Sequence, residues 1–124
     1  MFGSNKTPLI KSLIAQGTRV DGAVNFYDGL RIDGDIQGDV LGLEDHPSIL
    51  VISESASVTG QVQADHIIIN GSVTGPVVAR RMLELQPKAR IVGDVSYRTL
   101  EMHQGALIAG LLRPLNLDEV NNPH

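Results

Sequence analysis

An internal repeat constrains the fold of this chain more than any other feature. Three stretches of thirteen residues align without a gap: 50–62 (LVISESASVTGQV), 83–95 (LELQPKARIVGDV) and 100–112 (LEMHQGALIAGLL). Two stretches of eleven residues, 30–40 and 67–77, align in the same way. All five finish on the pattern apolar-x-Gly-x-apolar, and a sixth copy of this ending occupies 20–24. Because the repeat fills the chain from about residue 18 to 112, it constitutes the fold.

The spacing of the repeat predicts an all-β, right-handed parallel β-helix, a solenoid of about six turns with flexible N- and C-terminal tails. The last apolar residues of the six endings lie at 24, 40, 62, 77, 95 and 112, and apolar residues alternate within each unit. Alternation places one face of a strand in a core. Steps of 15 to 18 residues are too short for a crossover helix, so each step corresponds to one coil. Connections between parallel strands of one sheet are almost always right-handed, which predicts a right-handed coil. The one longer step contains a polar insertion at 43–48.

The glycine of each repeated ending lies on the apolar side of the alternation. Either an interior corner leaves no room for a side chain there, or the backbone needs a positive φ.

Composition and charge narrow the class of protein. Only 3% of residues are aromatic and Trp is absent, so the core must be aliphatic. Cys is absent, which excludes disulfides, thiolate metal sites and a cysteine nucleophile. No apolar run reaches the roughly 20 residues that span a bilayer and no signal peptide is evident, so we expect a cytosolic body. Residues 1–19 carry three basic groups and no acid, whereas the remainder has seven basic and fourteen acidic residues. This division predicts an anionic surface as partner of the tail and no nucleic acid partner for the body.

Four motifs in a fixed order make the chain similar to the bactofilins, the polymer-forming cytoskeletal proteins of bacteria. They are GTRVDGAV (17–24), LRIDGDIQGDV (30–40), LVISESASVTGQV (50–62) and LELQPKARIVGDV (83–95). The resemblance implies a right-handed β-helix that assembles end to end into filaments without nucleotide, often at the inner face of the cytoplasmic membrane. It also implies a scaffold for cell shape, for appendage formation or for placing cell-wall-modifying enzymes. Two departures are the insertion around 44–48 and Ile108, which stands where the family often has an aromatic residue.

The ends of such a rod predict a polymerisation interface. A β-helix leaves unpaired strand edges and apolar rungs at both ends, and no capping helix is evident on either side of the repeat. Head-to-tail stacking and alternating head-to-head and tail-to-tail stacking both give an open filament. Alternatively, Leu115 and Leu117 fold back as a cap and leave a monomer or dimer. The residues predicted at the interface are Val20, Val24, Leu30, Ile32, Leu107, Ile108, Leu111 and Leu112.

The boundaries of the repeat divide the chain into an N-terminal tail (1–17), a β-helical domain (18–113) and a C-terminal tail (114–124). Apolar pairs four residues apart in 8–14 are typical of a short amphipathic helix, and the basic residues of the tail attract anionic lipid. We expect this segment to target the membrane; alternatively, it is a leader that partly covers the first coil. The predicted membrane-targeting residues are Phe2, Lys6, Leu9, Ile10, Lys11, Leu13 and Ile14.

The polar residues predict no catalytic residues, no cofactor and no metal site. The histidines (His46, His66, His103 and His124) have no shared spacing, and most carboxylates flank glycines at outward positions. Arg80 and Arg81 form the one basic pair of the body, which indicates a partner contact or a solvated corner. Two alternatives to a polymer remain open. One is a trimeric β-helical enzyme of the acyltransferase or carbonic anhydrase type, and the other is a small interaction module that binds a partner along its sides.

Overall fold

The computed structural model describes residues 9–115, and every regular element in this range is a β-strand. Fifteen strands follow one another along the chain: β1 (Ile10–Ile14), β2 (Arg19–Asp21), β3 (Val24–Phe26), β4 (Asp28–Ile32), β5 (Asp35–Gln37), β6 (Val40–Gly42), β7 (Ser48–Ile52), β8 (Ser57–Thr59), β9 (Val62–Ile69), β10 (Ser72–Thr74), β11 (Val77–Leu85), β12 (Arg90–Val92), β13 (Val95–Met102), β14 (Leu107–Ala109) and β15 (Leu112–Pro114).

All strand pairs are parallel, and they stack the chain into six coils. Coil 1 comprises residues 10–26, coil 2 residues 28–42, coil 3 residues 48–64, coil 4 residues 66–79, coil 5 residues 82–97 and coil 6 residues 99–114. At the usual strand spacing of about 4.8 Å, the rod is roughly 29 Å long. The predicted all-β solenoid of about six turns is confirmed. The right-handed winding of the solenoid stays a prediction, which rests on the preference of connections between parallel strands for that hand.

Each coil contributes one strand segment to each of three faces. Face A contains β1, β4 and β7, followed by the second halves of β9, β11 and β13. Face B is the separate six-stranded sheet from β2 to β14. Face C contains β3 and β6, then the first halves of β9, β11 and β13, and finally β15. Three strands therefore bend from face C to face A, which joins these two faces into one nine-stranded sheet.

The core consists of columns in which the same position of every coil stacks on the next. The last apolar residues of the repeated endings form one column: Val24, Val40, Val62, Val77, Val95 and Leu112. A column on face B contains Val20, Ile36, Val58, Val73, Ile91 and Ile108. Two columns on face A are Ser12, Leu30, Leu50, Ile67, Leu83 and Leu100, and Ile14, Ile32, Ile52, Ile69, Leu85 and Met102. The alignment of the repeat therefore predicted the register of the core.

The corners of the coils explain why the steps are uneven. Between faces A and B the chain turns either through two residues, as at 33–34 and 70–71, or through four, as at 53–56 and 86–89. The four-residue turns close with a hydrogen bond from the fourth N–H to the first carbonyl, at 3.0 Å for Ala56 to Ser53. Between faces C and A, residues 43–47 form the insertion. In β11 a bulge sets Arg80 and Arg81 opposite the single residue Arg98 of the next coil.

The glycine of the repeated ending satisfies two requirements at once. All six copies have φ between 130° and 159°, a range that L side chains rarely adopt. In the five later copies, an added Cβ would also collide with the carbonyl oxygen of the corresponding glycine in the preceding coil, as Gly60 would with Gly38. Both explanations derived from the sequence therefore hold at these corners.

Strand β1 corrects the helical interpretation of residues 8–14. Ile10–Ile14 is extended and pairs in parallel with β4, with Ile14 opposite Ile32. The β-structure thus begins before residue 18, and it continues to Pro114 in β15. The apolar spacing suggested a helix because Ser12 occupies an inward position of the strand between two isoleucines, so that the apolar residues Ile10 and Ile14 are four apart.

Candidate functional site: the two ends of the solenoid

The N-terminal end of the solenoid is formed by β1, β2 and β3. Within the described residues, each of these strands has one neighbouring strand, and its other edge is open. Ile14, Val20 and Val24 occupy interior columns here and are only partly buried, since no coil covers them. Ser12 takes the place that leucine or isoleucine has in the later coils. This end therefore presents one isoleucine and two valines together with one polar residue.

The C-terminal end is formed by the second half of β13 together with β14 and β15. Its interior columns finish on Leu100, Met102, Ile108 and Leu112, and the last coil leaves 44% of Met102 and 47% of Leu112 exposed. In the inner coils the same columns are almost completely buried. The end is thus a section through the core, with larger side chains than the opposite end has.

The structure divides the predicted interface residues into three groups. Four occupy interior columns of the end coils and lie where the interface was expected: Val20, Val24, Ile108 and Leu112. Leu107 and Leu111 are exposed in coil 6 but lie at outward positions, Leu107 opposite Arg90 and Leu111 opposite Asp94. Leu30 and Ile32 are buried in coil 2 beneath β1. Their expected place at an end is therefore corrected, because coil 1 begins earlier than the repeat suggested.

Three apolar residues at the ends were missed by the interface prediction. Leu100 and Met102 begin the last coil, and Ile14 finishes β1. The signal for the first two was available, because the repeat aligns them with the buried Leu83 and Leu85. Ile14 was assigned to the membrane-targeting segment, and its contacts with the core show that it belongs to coil 1.

The membrane-targeting residues that the structure describes lie along β1 and just before it. Leu9 is 74% exposed, Leu13 is 58% exposed, and Ile10 is also exposed. The Lys11 ammonium lies 3.1 Å from a carboxylate oxygen of Asp28. Phe2 and Lys6 lie outside the described residues.

Charged side chains surround the ends without entering the interior columns. At the N-terminal end, the Arg19 Nε donates to Asp21 Oδ1 at 3.0 Å, and this hydrogen bond and charge raise the pKa of Arg19. At the C-terminal end, an Arg113 nitrogen lies 3.4 Å from Asp94 Oδ2. Exposed pairs of this kind contribute little to stability. The apolar columns therefore dominate what either end can offer to a partner.

One cluster in coils 5 and 6 has the residue types of a metal site. Glu84 and Glu101 are in register on face A, and His103 Nε2 lies 3.2 Å from the first carboxylate and 3.4 Å from the second. Their ligand atoms lie within 4.8 Å of one another. Like charges opposite each other on adjacent strands repel, and the histidine ring nitrogen offsets part of this repulsion. The outward position expected for His103 agrees with this placement.

The other histidines are apart from this cluster. His46 lies in the insertion with its ring 4.8 Å from that of Tyr27, measured between centroids. His66 lies on face A between Ile49 and Met82 in the neighbouring coils. His124 is outside the described residues. The three described histidines thus occupy different parts of the solenoid surface.

Residues 12–113 match the family model described as bactofilin, polymer-forming cytoskeletal. The chain belongs to the bactofilin family. It is 27% identical over 109 residues to bactofilin BacO of Myxococcus xanthus (strain DK1622), an alignment that covers 88% of this chain and 83% of the relative. No solved structure matches the chain significantly. Membership identifies the protein as a polymer-forming cytoskeletal one. The open ends of the solenoid are therefore the first surfaces to consider for self-association.

Across residues 9–115, the structure has no helix of the length and apolar character needed to cross a bilayer.

Proposed function

We propose that this bactofilin is a non-enzymatic scaffold that assembles end to end into filaments without nucleotide. The observation that carries the proposal is the continuity of the core columns to both ends of the rod. Met102 and Leu112 lie in columns whose inner members are buried, so a further coil stacked on either one would bury it as well. Burial of apolar surface is the main favourable term in protein association. Open strand edges on the same faces supply backbone hydrogen bonds to the added coil.

The test compares two neighbouring leucines, so that end-to-end stacking is distinguished from non-specific hydrophobic association. Leu112 ends an interior column, whereas Leu111 is the more exposed but lies at an outward corner, at the position that Asp94 has in coil 5. Leu112→Arg places a charge in the path of a stacked coil, and an unpaired buried charge is very unfavourable. Leu111→Arg places the same positive charge at an exposed outward corner, beside the carboxylate of Asp94 in the preceding coil.

We expect filaments in negative-stain electron micrographs of the parent and of Leu111→Arg, without nucleotide or metal. Leu112→Arg should give discrete particles with the β-sheet circular dichroism of the parent. A parent that stays a small oligomer of fixed size at all salt concentrations would contradict the proposal. It would favour the side-binding module or a trimeric enzyme. Filaments in both variants would place the contact elsewhere than on the C-terminal end.

Attachment to the inner face of the cytoplasmic membrane forms the second half of the proposal, since it would place the scaffold where cell shape and cell-wall enzymes are controlled. The exposure of Leu9 and Leu13, together with the basic charge of residues 1–19, supports it. One such segment binds a membrane weakly, whereas a filament presents many copies at once.

Sedimentation with vesicles tests the membrane contact. The parent should sediment with phosphatidylglycerol vesicles and much less with phosphatidylcholine vesicles. Phe2→Ser combined with Leu9→Ser should reduce sedimentation while filaments persist. The control, Val92→Ser, removes an apolar side chain that is 57% exposed on face B and should leave sedimentation unchanged. Loss of sedimentation in the control, or none in the double variant, would count against a role for the N-terminal segment.

A further inference from the structure

The corner between faces C and A carries a group of arginines that the assembly proposal does not use. Arg80 and Arg81 share the bulge of β11, and Arg98 lies opposite them in the next coil. All three line a cavity of about 390 Å³ whose remaining wall comes from the insertion (residues 44–47) and Asp65. We call this the arginine corner: Arg80, Arg81, Arg98 and the facing insertion.

Two of these arginines differ from every other basic residue that the structure describes. Between residues 9 and 115, each remaining lysine or arginine side chain has a carboxylate or carbonyl partner. Arg81 and Arg98 have neither a hydrogen bond nor an ion pair in this range, and both are exposed. Two arginines without a partner among the described residues therefore line the same cavity from adjacent coils.

The third arginine is held in place and retains a spare donor. Arg80 Nε donates to Asp65 Oδ1 at 2.7 Å, and its Nη2 donates to the Gly42 carbonyl at 2.9 Å. Its side chain is 19% exposed, and its Nη1 is buried without a protein acceptor. An unsatisfied buried donor is unfavourable, and a charged donor forms stronger hydrogen bonds than a neutral one. Arg80 is thus held in place at the base of the corner and keeps one unpaired donor.

The chemistry of the walls selects among anionic partners. Glu44 and Asp45 lie in the same lining, and neither has a partner among the described residues. Together with Asp65 they repel any anionic group, so a partner has to place its negative charges at Arg81 and Arg98 and away from this wall, which a uniformly anionic lipid surface cannot do. A recess of this volume admits a few side chains, whereas a layer of headgroups is broad and flat. Arginine forks match the geometry of a carboxylate, which they bind through two parallel hydrogen bonds.

We propose that the arginine corner is a side-binding site for an acidic peptide segment of a partner protein, whose carboxylates are bound by Arg81 and Arg98. The site lies on the side of the rod, at the corners that connect coils 2 to 6, and outside the stacking columns. A filament would therefore present one such site per subunit along its length, and many weak contacts would add by avidity. The inference goes beyond assembly and does not depend on it.

Fluorescence anisotropy of a labelled octapeptide of alternating glutamate and serine measures the site directly. The full-length chain should bind this peptide and should not bind the matched peptide in which glutamine replaces glutamate. Arg81→Gln with Arg98→Gln should weaken binding at least fivefold. The control, Arg31→Gln with Lys88→Gln, removes the same charge from exposed positions elsewhere and should change binding less than twofold.

A gain of binding provides a second readout that misfolding cannot mimic. Glu44→Gln with Asp45→Asn removes the competing carboxylates from the wall, so the acidic peptide should bind about twofold to fivefold more tightly. Repeating the measurements on Leu112→Arg separates the site from assembly, because both chains should show the same dependence on Arg81 and Arg98.

Three results would overturn the inference. One is the absence of peptide binding to the parent at millimolar peptide, and another is equal weakening by the arginine pair and the control pair. The third is vesicle sedimentation that requires Arg81 and Arg98 while peptide binding does not, which would identify the corner as a lipid contact.

Discussion

The inner coils and the end coils of this solenoid are built from the same kinds of residue in the same columns, but they differ in what covers them. Ile67 in coil 4 is fully buried, whereas Leu100, which continues its column in coil 6, is only partly buried. Val62 in coil 3 is fully buried, whereas Leu112 in the same column is 47% exposed. Exposure in this molecule is therefore set by the neighbouring coil and not by the residue type.

This difference gives the ends a different character from an ordinary hydrophobic patch. A patch on a globular protein accepts many shapes, whereas each end displays strand edges and apolar columns at the spacing of the next coil. The surface most complementary to such an end is another end of the same kind of rod. If the subunits stack end to end as proposed, polymerisation extends the stacking that folds each subunit.

The largest expected effect comes from shortening one residue of the core in an inner coil. Ile67→Ala removes side-chain atoms that are packed between coils 3 and 5, and we expect a loss of about 2–5 kcal/mol in the free energy of unfolding. Met102→Ala removes a similar side chain from coil 6, where 44% of it already contacts solvent, and should cost less than half as much. Urea unfolding followed by circular dichroism in the Leu112→Arg background measures both without the contribution of assembly. Equal costs would mean that coil 6 is covered even in the single chain.

The second comparison uses the glycine column. Gly60→Ala combines the strain of a positive φ with a collision against the Gly38 carbonyl, and we expect a loss of about 3 kcal/mol or more. Gly22 also has a positive φ, but an added Cβ meets no atom of the described residues within 4 Å. Gly22→Ala should therefore cost only the strain, about 1–2 kcal/mol. Thermal unfolding of both variants in the same Leu112→Arg background measures the difference.

Gly22→Ala also probes the open end. In the later coils the corresponding Cβ points at the preceding coil, so the methyl group at residue 22 would point out of the N-terminal end. If that end stacks on another subunit, the variant with Leu112 intact should fold and yet form fewer filaments. Filaments as abundant as those of the parent would show that this corner of coil 1 does not contact another subunit.

The sequence predicted the inner coils more completely than the ends. The repeat gave the columns of the core because each buried position recurs in every coil, as with Val62, Val77 and Val95. It failed at coil 1, where Ser12 breaks the apolar alternation of β1, and this error misplaced Leu30 and Ile32. The arginine corner also could not be predicted from the sequence. Adjacent residues Arg80 and Arg81 are visible in the sequence, but their position opposite Arg98 and beneath the insertion depends on the bulge and on the stacking of coils.

The smallest expected effect concerns a carboxylate whose environment includes the next coil. Asp33 lies in a two-residue corner of coil 2, and Ser53 follows the corresponding strand of coil 3. The Ser53 hydroxyl, and then the Arg31 guanidinium, lower the pKa of Asp33 below its usual value of 3.8. A carboxyl group with a lowered pKa contributes stability that is present above its ordinary pKa and is lost as the pH falls through the lowered one. Since Asp33 is near solvent, this contribution is small and confined to acidic pH.

Ser53→Ala and Arg31→Gln should each raise the pKa of Asp33 towards the usual value, because the Ser53 hydrogen bond is the largest single cause and Arg31 contributes both a hydrogen bond and its charge. Nuclear magnetic resonance titration of the Asp33 carboxyl carbon in the Leu112→Arg background measures both. The effect of Ser53→Ala bears on the comparison between inner and end coils. Arg31 belongs to the same coil as Asp33, whereas Ser53 reaches it only because coil 3 is stacked on coil 2. An unchanged pKa of Asp33 in Ser53→Ala would mean that the environment of this carboxylate is local to its own coil and owes little to the neighbouring one.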